Sequence, residues 1–388
     1  MIHRTRTADI DPGELRAAVR DVLDREATPE RTRVVMDEPT GHDATLFSLM
    51  AELGWTGLAI PEKYGGAGAT LVELGVVLQE LGRSLVSSSF EASVVVFGGA
   101  LLLGGREDQR ASLLPRIAAG NLLASTALGG AGGRYEVESL GVTARQQGAS
   151  LSLSGTADYV PSADLAELVL VAARAPRGDT ALVLVDPRHE AVEITPQPVF
   201  DPTRRFSRLV LHDVVVPRES MLGDFASGEA LREQLIDLAA IALACDNTGG
   251  AGKVLESTVA FMKERKQFDR AIASFQALKH RCVDMMMRVE ASAVSVEMAL
   301  EAFAGEQEDT RLAASEAKFF SGDSYIHVAQ EGLQMHGGVG FTWEYDCHLY
   351  LKRAMLNQAL LGDSRWHRDR AADLVLGPVS SVSGSQYE

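Results

Sequence analysis

Cysteine is scarce in this chain: Cys245, Cys282 and Cys347 are the three among 388 residues. They are odd in number, far apart and without CxxC spacing, so they frame neither a disulfide scaffold nor a zinc site and read as reduced thiols. Positive charge is also short. Lys and Arg total 37 against 53 Asp and Glu, a formal net charge of −16. That balance argues against a nucleic-acid or anionic-membrane partner, while leaving room for an anionic ligand held by local basic side chains. No apolar run reaches membrane-spanning length and the charged N-terminus has no signal-type core, so the expected location is the cytoplasm. His327, His336 and His348 lack carboxylates or cysteines at ligand spacing, and no metal is expected.

What is present reads as two or three domains of α+β class. Residues 1–121 are helical in pattern. Asp11 and Pro12 start a helix whose face continues through Leu15, Val19 and Leu23. Leu46–Leu53 gives a second amphipathic turn, and Pro61 with the glycines between 54 and 68 breaks the helix into an ordered loop. Leu71–Leu81 resumes it, with Glu73 and Glu80 expected on solvated faces. Residues 90–105 are small and apolar.

From 122 to 222 the pattern changes to strands: alternation over 150–154, and buried-strand runs over 168–172 and 181–185. The glycines at 129–133 lack G-x-G-x-x-G spacing and a following helix, so no Rossmann domain is indicated. Residues 223–377 return to helices, with one expected over Leu231–Ala244 and another over Leu255–Arg265 after Gly249 and Gly250. The Ser/Gly-rich tail, 378–388, is expected to be flexible.

Two polar segments bracket a helical stretch in the last region. Arg265 and Phe268 are followed by Phe275, Gln276 and His280; Gln334 is followed by Gly337, Gly338 and Gly340. Between them Leu278, Cys282, Met285, Met286 and Val289 fall on one helical face, expected to be buried. An arginine fork, an aromatic, two glutamines and a Gly-Gly step suit a dinucleotide lying across helices.

Together these segments resemble the acyl-CoA dehydrogenase family, with its R-x-x-F-G…FQ…H and Q-x-x-GG-x-GF signatures; Asp269 stands in place of the first signature's glycine. The resemblance covers nearly the whole chain. It implies an N-terminal helical domain, a middle β-domain and a C-terminal four-helix bundle, and FAD whose ADP half is held by Arg265, Phe268, Gln276, Gln334, Gly337 and Gly338 of a neighbouring subunit. It also implies α,β-dehydrogenation of an acyl-CoA, a tetramer, and an electron-transfer flavoprotein as acceptor.

The departures are as informative as the matches. The family's glutamate base, from a Y-E-G-T motif, falls at Leu361, and its alternative position falls at Ala239; neither accepts a proton. Asp363 falls where the motif has threonine. The flavin-contacting threonine and serine are replaced in the 125–134 segment, and the W-x-T beside the flavin becomes Tyr159-Val-Pro161. Three readings follow. In one, the chain acts alone with Asp363 as an unconventional base, against a role for Asp363 as a helix cap or charge partner; Asp237 and Asp246 are weaker candidates, expected to be solvated or capping. In the second, the chain is the base-lacking member of a mixed tetramer with a glutamate-bearing partner, resembling subunits of the family's heteromeric steroid-CoA dehydrogenases, in which two chains share each cofactor; the alternative to it is a non-catalytic, structural partner subunit only. In the third, it is a flavin oxidase or monooxygenase relative.

Overall fold

The computed structural model describes residues 10–377, and the expected flexible tail lies outside them. The N-terminal region is helical: α1 (Pro12–Glu26), α2 (Pro29–Asp37), α3 (Ala44–Glu52), α4 (Leu71–Arg83), α5 (Gly98–Gly104) and α6 (Glu107–Ala118). Asp11 starts α1 as expected, its side chain accepting from the Glu14 amide with Pro12 in the first turn. Immediately before α5, residues Glu91–Phe97 form a π-helical turn. Such turns widen a helix by one residue per turn and tend to mark functional positions.

Glu73 and Glu80 are not solvated: they are 1 % and 2 % exposed. Glu73 closes the capping box of α4 with Thr70, and Glu80 accepts from both Arg16 and Arg20 of α1. Helical spacing placed them on the polar face of α4, but the capping box takes up Glu73 and α1 packs against α4 to supply the counter-charges of Glu80.

The middle region is an eight-stranded sheet of β1 (Ala124–Ala127), β2 (Val142–Gln147), β3 (Ser150–Pro161), β4 (Leu168–Arg174), β5 (Thr180–Val185), β6 (Val192–Gln197), β7 (Phe206–Pro217) and β8 (Met221–Leu222). The order is β6-β7-β3-β2-β4-β5-β8, with β1 added parallel to β4. The β3–β7 ladder is interrupted between Ala157 and Val160. There Tyr159 takes φ +54°, and a bulge of this kind re-aims side chains at a sheet margin.

Helices return as α7 (Gly228–Glu264), then a small hairpin of β9 (Lys266–Gln267) and β10 (Arg270–Ala271), then α8 (Gln276–Ala304), α9 (Thr310–His336), α10 (Cys347–Ala359) and α11 (Ser364–Leu376). α9 packs against α7, α8, α10 and α11, and α7 also packs against α4 and α8, so the bundle is joined to the N-terminal helices. No described helix is long and apolar enough to cross a membrane.

The expected break at Gly249 and Gly250 does not occur; α7 runs unbroken for 37 residues. The glycines serve contact, not termination. A Cβ on Gly249 would stand 1.8 Å from the Gln79 carbonyl oxygen of α4, and one on Gly250 would stand 2.3 Å from the Tyr325 hydroxyl of α9. Neighbouring helices therefore press where a side chain would be, which offsets the roughly 1 kcal/mol a helical glycine costs. On α8 the expected buried face narrows to Met285, fully buried, while Met286 is 46 % exposed.

Candidate functional site

Where the three regions meet lies a cleft with a free volume of about 90 Å³. The π-helical turn contributes Glu91 to it, the segment after β1 contributes Leu128 and Tyr135, the β3 bulge contributes Tyr159 and Pro161, and α7 contributes Ala239. The α10–α11 connection closes it with Leu361.

Ala239 and Leu361 thus both face the cleft at the two positions expected for a base, and neither carries a titratable group. Leu361 sits at φ +58° and Gly362 at +92°. This left-handed step is supported from below. Lys318, 1 % exposed, donates to the Gln358 and Gly362 carbonyls at 3.3 Å each, so a buried ammonium caps the carbonyl end of α10. Burial pushes Lys318 down to about 7, against the pull of Asp363, Asp323 and Glu91. His367 Nε2 donates to the Leu361 carbonyl at 3.0 Å, and burial, with Lys318 beside it, lowers that imidazole to about 3. The Leu361 amide in turn meets the Tyr135 hydroxyl across the cleft, and burial raises Tyr135 to about 12.

Asp363, the candidate base, does not line the cleft. It is the exposed N-cap of α11, its Oδ1 accepting from the Trp366 amide at 2.8 Å. Helix capping engages the carboxylate with the first turn of α11. Asp237 and Asp246 are not solvated either. Asp237 is 1 % exposed and pairs with Arg370; burial pushes its carboxyl up to about 6 despite that arginine. Asp246 belongs to a buried charge chain.

That chain went unnoticed in the sequence. Arg353, 1 % exposed, donates to Asp201 Oδ2 at 2.7 Å and to Asp246 Oδ2 at 2.9 Å. Asp246 also accepts from Asn357 at 2.6 Å and from Arg204 at 3.2 Å. Arg204 then reaches the cleft wall and donates to Glu91 Oε2 at 2.8 Å. Burial opposes the charge on Asp246, but Arg353 and Arg204 outweigh it and hold the carboxyl below its ordinary range. Glu91 and Arg204 lie 113 residues apart, and neither has a local pattern that announces the pair.

The segment expected to meet a flavin ring is occupied with itself. The Gly130 amide donates to the Arg134 carbonyl at 2.7 Å and the Gly133 amide to the Gly130 carbonyl at 3.1 Å. The Gly132 amide donates to Asp158 at 3.1 Å. Buried Arg232 donates to the Leu128 and Tyr135 carbonyls at 3.1 and 2.9 Å. With these amides engaged, Leu128 in place of a hydroxyl and Pro161 without an amide, the cleft wall is a poor fit for a flavin ring.

The second segment group behaves in the opposite way. Arg265, Phe268, Gln276, Gln334, Gly337 and Gly338 are all exposed, Phe268 at 85 %, and none lines the cleft. The β9–β10 turn brings Phe268 and Asp269 to φ +53° and +62°. A two-residue hairpin with both central residues left-handed explains why glycine suits the position of Asp269, and why Asp, which tolerates that conformation, can stand in for it. A Cβ on Gly337 or Gly338 would meet nothing within 4 Å, so the backbone there is open to close approach from outside.

Comparison with known proteins agrees with this architecture. Residues 11–121 match the acyl-CoA dehydrogenase N-terminal domain and residues 227–376 the acyl-CoA dehydrogenase C-terminal domain. The chain is 33 % identical over 352 residues to the acyl-CoA dehydrogenase IpdE2 of Mycobacterium tuberculosis, covering 90 % of this chain and 93 % of that one. Among solved structures it is similar to the Tcur3481-Tcur3483 steroid ACAD, with TM-score 0.86, 30 % identity and coverage of 94 % of this chain and 97 % of that one. It is also similar to the ChsE4-ChsE5 complex of Mycobacterium tuberculosis, with TM-score 0.87, 25 % identity and coverage of 96 % and 99 %. The chain belongs to the acyl-CoA dehydrogenase family.

Proposed function

We propose that this chain serves FAD-dependent α,β-dehydrogenation of an acyl-CoA as the base-lacking subunit of a mixed tetramer. The carrying observation is a division of labour on the molecule. Ala239 and Leu361 fill both base positions of the cleft, while the dinucleotide face around Arg265 and Gly337 is exposed outside it. A related, glutamate-bearing subunit supplies the proton acceptor; Arg265, Phe268, Gln276, Gln334, Gly337 and Gly338 hold the ADP half of the FAD lying in that partner's cleft. The flavin, when bound, supplies the acceptor for the β-hydride, and an electron-transfer flavoprotein takes the electrons onward. Two similar structures, Tcur3481-Tcur3483 and the ChsE4-ChsE5 complex, each carry the names of two chains, which supports the mixed assembly. In this reading the chain's own cleft, with Ala239 and Leu361 at the two base positions, has no group to take the α-proton of a thioester.

The test is flavin content and native mass of the chain purified alone and after co-expression with a glutamate-bearing relative, followed by anaerobic addition of an acyl-CoA. Little flavin alone, and a flavin that bleaches only in the mixed assembly, is the expected result. A homo-oligomer with full flavin that bleaches alone would overturn the reading.

A further inference from the structure

We infer that the outward side of α8 is a two-fold seam on which a second copy of this chain docks antiparallel. In a mixed tetramer, two copies of this chain then meet each other along α8, and each carries its glutamate-bearing partner on the dinucleotide face. The order of chains rests on the mixed-tetramer reading given above; the seam rests on α8 alone.

Val283, Met287, Ala291, Val294 and Met298 recur every three or four residues and so share one side of α8. They do not face the core: Val283, Met287, Val294 and Met298 are 47 %, 62 %, 56 % and 60 % exposed, and Ala291 is exposed too. The opposite side of the same helix carries Met285, Val296 and Leu300, all buried. α8 is thus apolar on both sides, whereas a helix at a free surface keeps its outer side polar. The stripe runs about 22 Å from Val283 to Met298 at a rise of about 1.5 Å per residue, and a contiguous apolar surface of this kind marks a contact. It also continues from the dinucleotide face, because α8 begins at Gln276.

The exposed charges beside the stripe say what covers it. Up to Arg288 they are Lys279, His280 and Arg288 against Asp284; from Val289 to Ala304 they are Glu290, Glu297 and Glu301, with no basic residue. One half of the face is basic and the other acidic. Two copies set antiparallel about an axis between Glu290 and Ala291 lay the basic half of each on the acidic half of the other. The same register sets Val283 opposite Met298 and Met287 opposite Val294, so the apolar stripe closes on itself. A parallel pairing would instead set Glu297 and Glu301 against their own copies. Glu290, nearest the axis, lies on the flank that shares a cavity with Arg16, Arg20 and Lys253, which supply its counter-charge. An isologous contact demands such self-complementarity, and a contact with a different chain does not.

The test uses the full chain with Cys282→Ser, which removes the half-buried thiol of α8 and leaves Cys245 and Cys347 buried. Ala291→Cys then places one thiol beside the axis, and a short bismaleimide is applied to the chain alone and to its complex with a co-expressed glutamate-bearing relative. Mass spectrometry of the linked product should give two copies of this chain in both preparations. Absence of that product would overturn the inference and leave the dehydrogenase reading intact. Failure of the relative to assemble, with two copies still linked, would overturn the mixed-tetramer reading and leave the seam. Met287→Glu is the second arm, since the two-fold axis doubles each substitution and buries a carboxylate from either side. Self-association should weaken at least about a hundredfold, and the mixed tetramer should fall in native mass to FAD-bearing pairs of one chain and one relative. Met287 and Ala291 are exposed in the single chain, so neither change disturbs folding. An unchanged native mass for Met287→Glu would overturn the inference.

Discussion

Arg353 of α10 lies 2.7 Å from Asp201 on the connection between β6 and β7, and both side chains are essentially without solvent contact. This one guanidinium also holds Asp246 of α7, so it ties the β-region to two helices of the bundle directly behind the cleft.

Arg353→Ala should therefore be among the most damaging single changes. It leaves two buried carboxylates without their main counter-charge, which costs about 3–5 kcal/mol when one partner of a buried pair is removed. Urea unfolding followed by circular dichroism checks this. A loss below about 1 kcal/mol would mean that Asn357 and Arg204 suffice to hold Asp246.

Asp363 separates structure from chemistry. As the cap of α11, its replacement by Ala should lower stability by about 1 kcal/mol and leave turnover of the mixed assembly within about twofold. A thousandfold loss of turnover with FAD retained would restore Asp363 as the base.

Arg265 is exposed and remote from this chain's cleft. Arg265→Ala should leave the isolated chain's unfolding unchanged and weaken FAD retention in the mixed assembly. The loss of a charge-assisted phosphate contact corresponds to about 1.5–3 kcal/mol, or roughly ten- to a hundredfold in affinity. Unchanged flavin content after extended dialysis would remove this arginine from the site.

Buried Lys318 gives a pH signature. Its folded pKa of about 7 lies below the ordinary 10.5, so between those values the folded chain holds less proton than the unfolded one. Its contribution to stability therefore rises as pH increases from about 7 and is least favourable below it. Lys318→Met removes this dependence. Unfolding free energies at pH 7 and pH 9 should show the wild type gaining about 2 kcal/mol relative to the variant. A flat difference would show that the ammonium keeps its proton throughout.

The helical and strand regions were legible because periodicity and capping are local: Asp11 with Pro12 starts α1, and the alternation at 150–154 lies within β3. That the two positions expected for a base share one cleft has another origin. The family pattern fixes sequence spacing around Gly362, and the fold then puts Leu361 and Ala239 on one cleft. What escaped is non-local. Glu80 looked solvated because nothing near it in sequence reveals that α1 brings Arg16 and Arg20 across it. The Glu91–Arg204–Asp246–Arg353 chain joins four distant segments, and charges distributed in that way look like ordinary surface residues until folded. Gly249 and Gly250 misled in the reverse sense, because a residue that weakens an isolated helix can be what a crowded one requires.

Those two glycines also make α7 a spacing gauge for the whole molecule. The end of α4 that presses on Gly249 carries Arg83, whose carbonyl accepts from the Tyr350 hydroxyl of α10 at 2.7 Å. α10 in turn runs to the Leu361 step at the cleft. One methyl group at position 249 would act as a shim, moving α4 outward and dragging the far wall of the cleft with it. The bore of the cleft is thus set partly by a residue that does not line it.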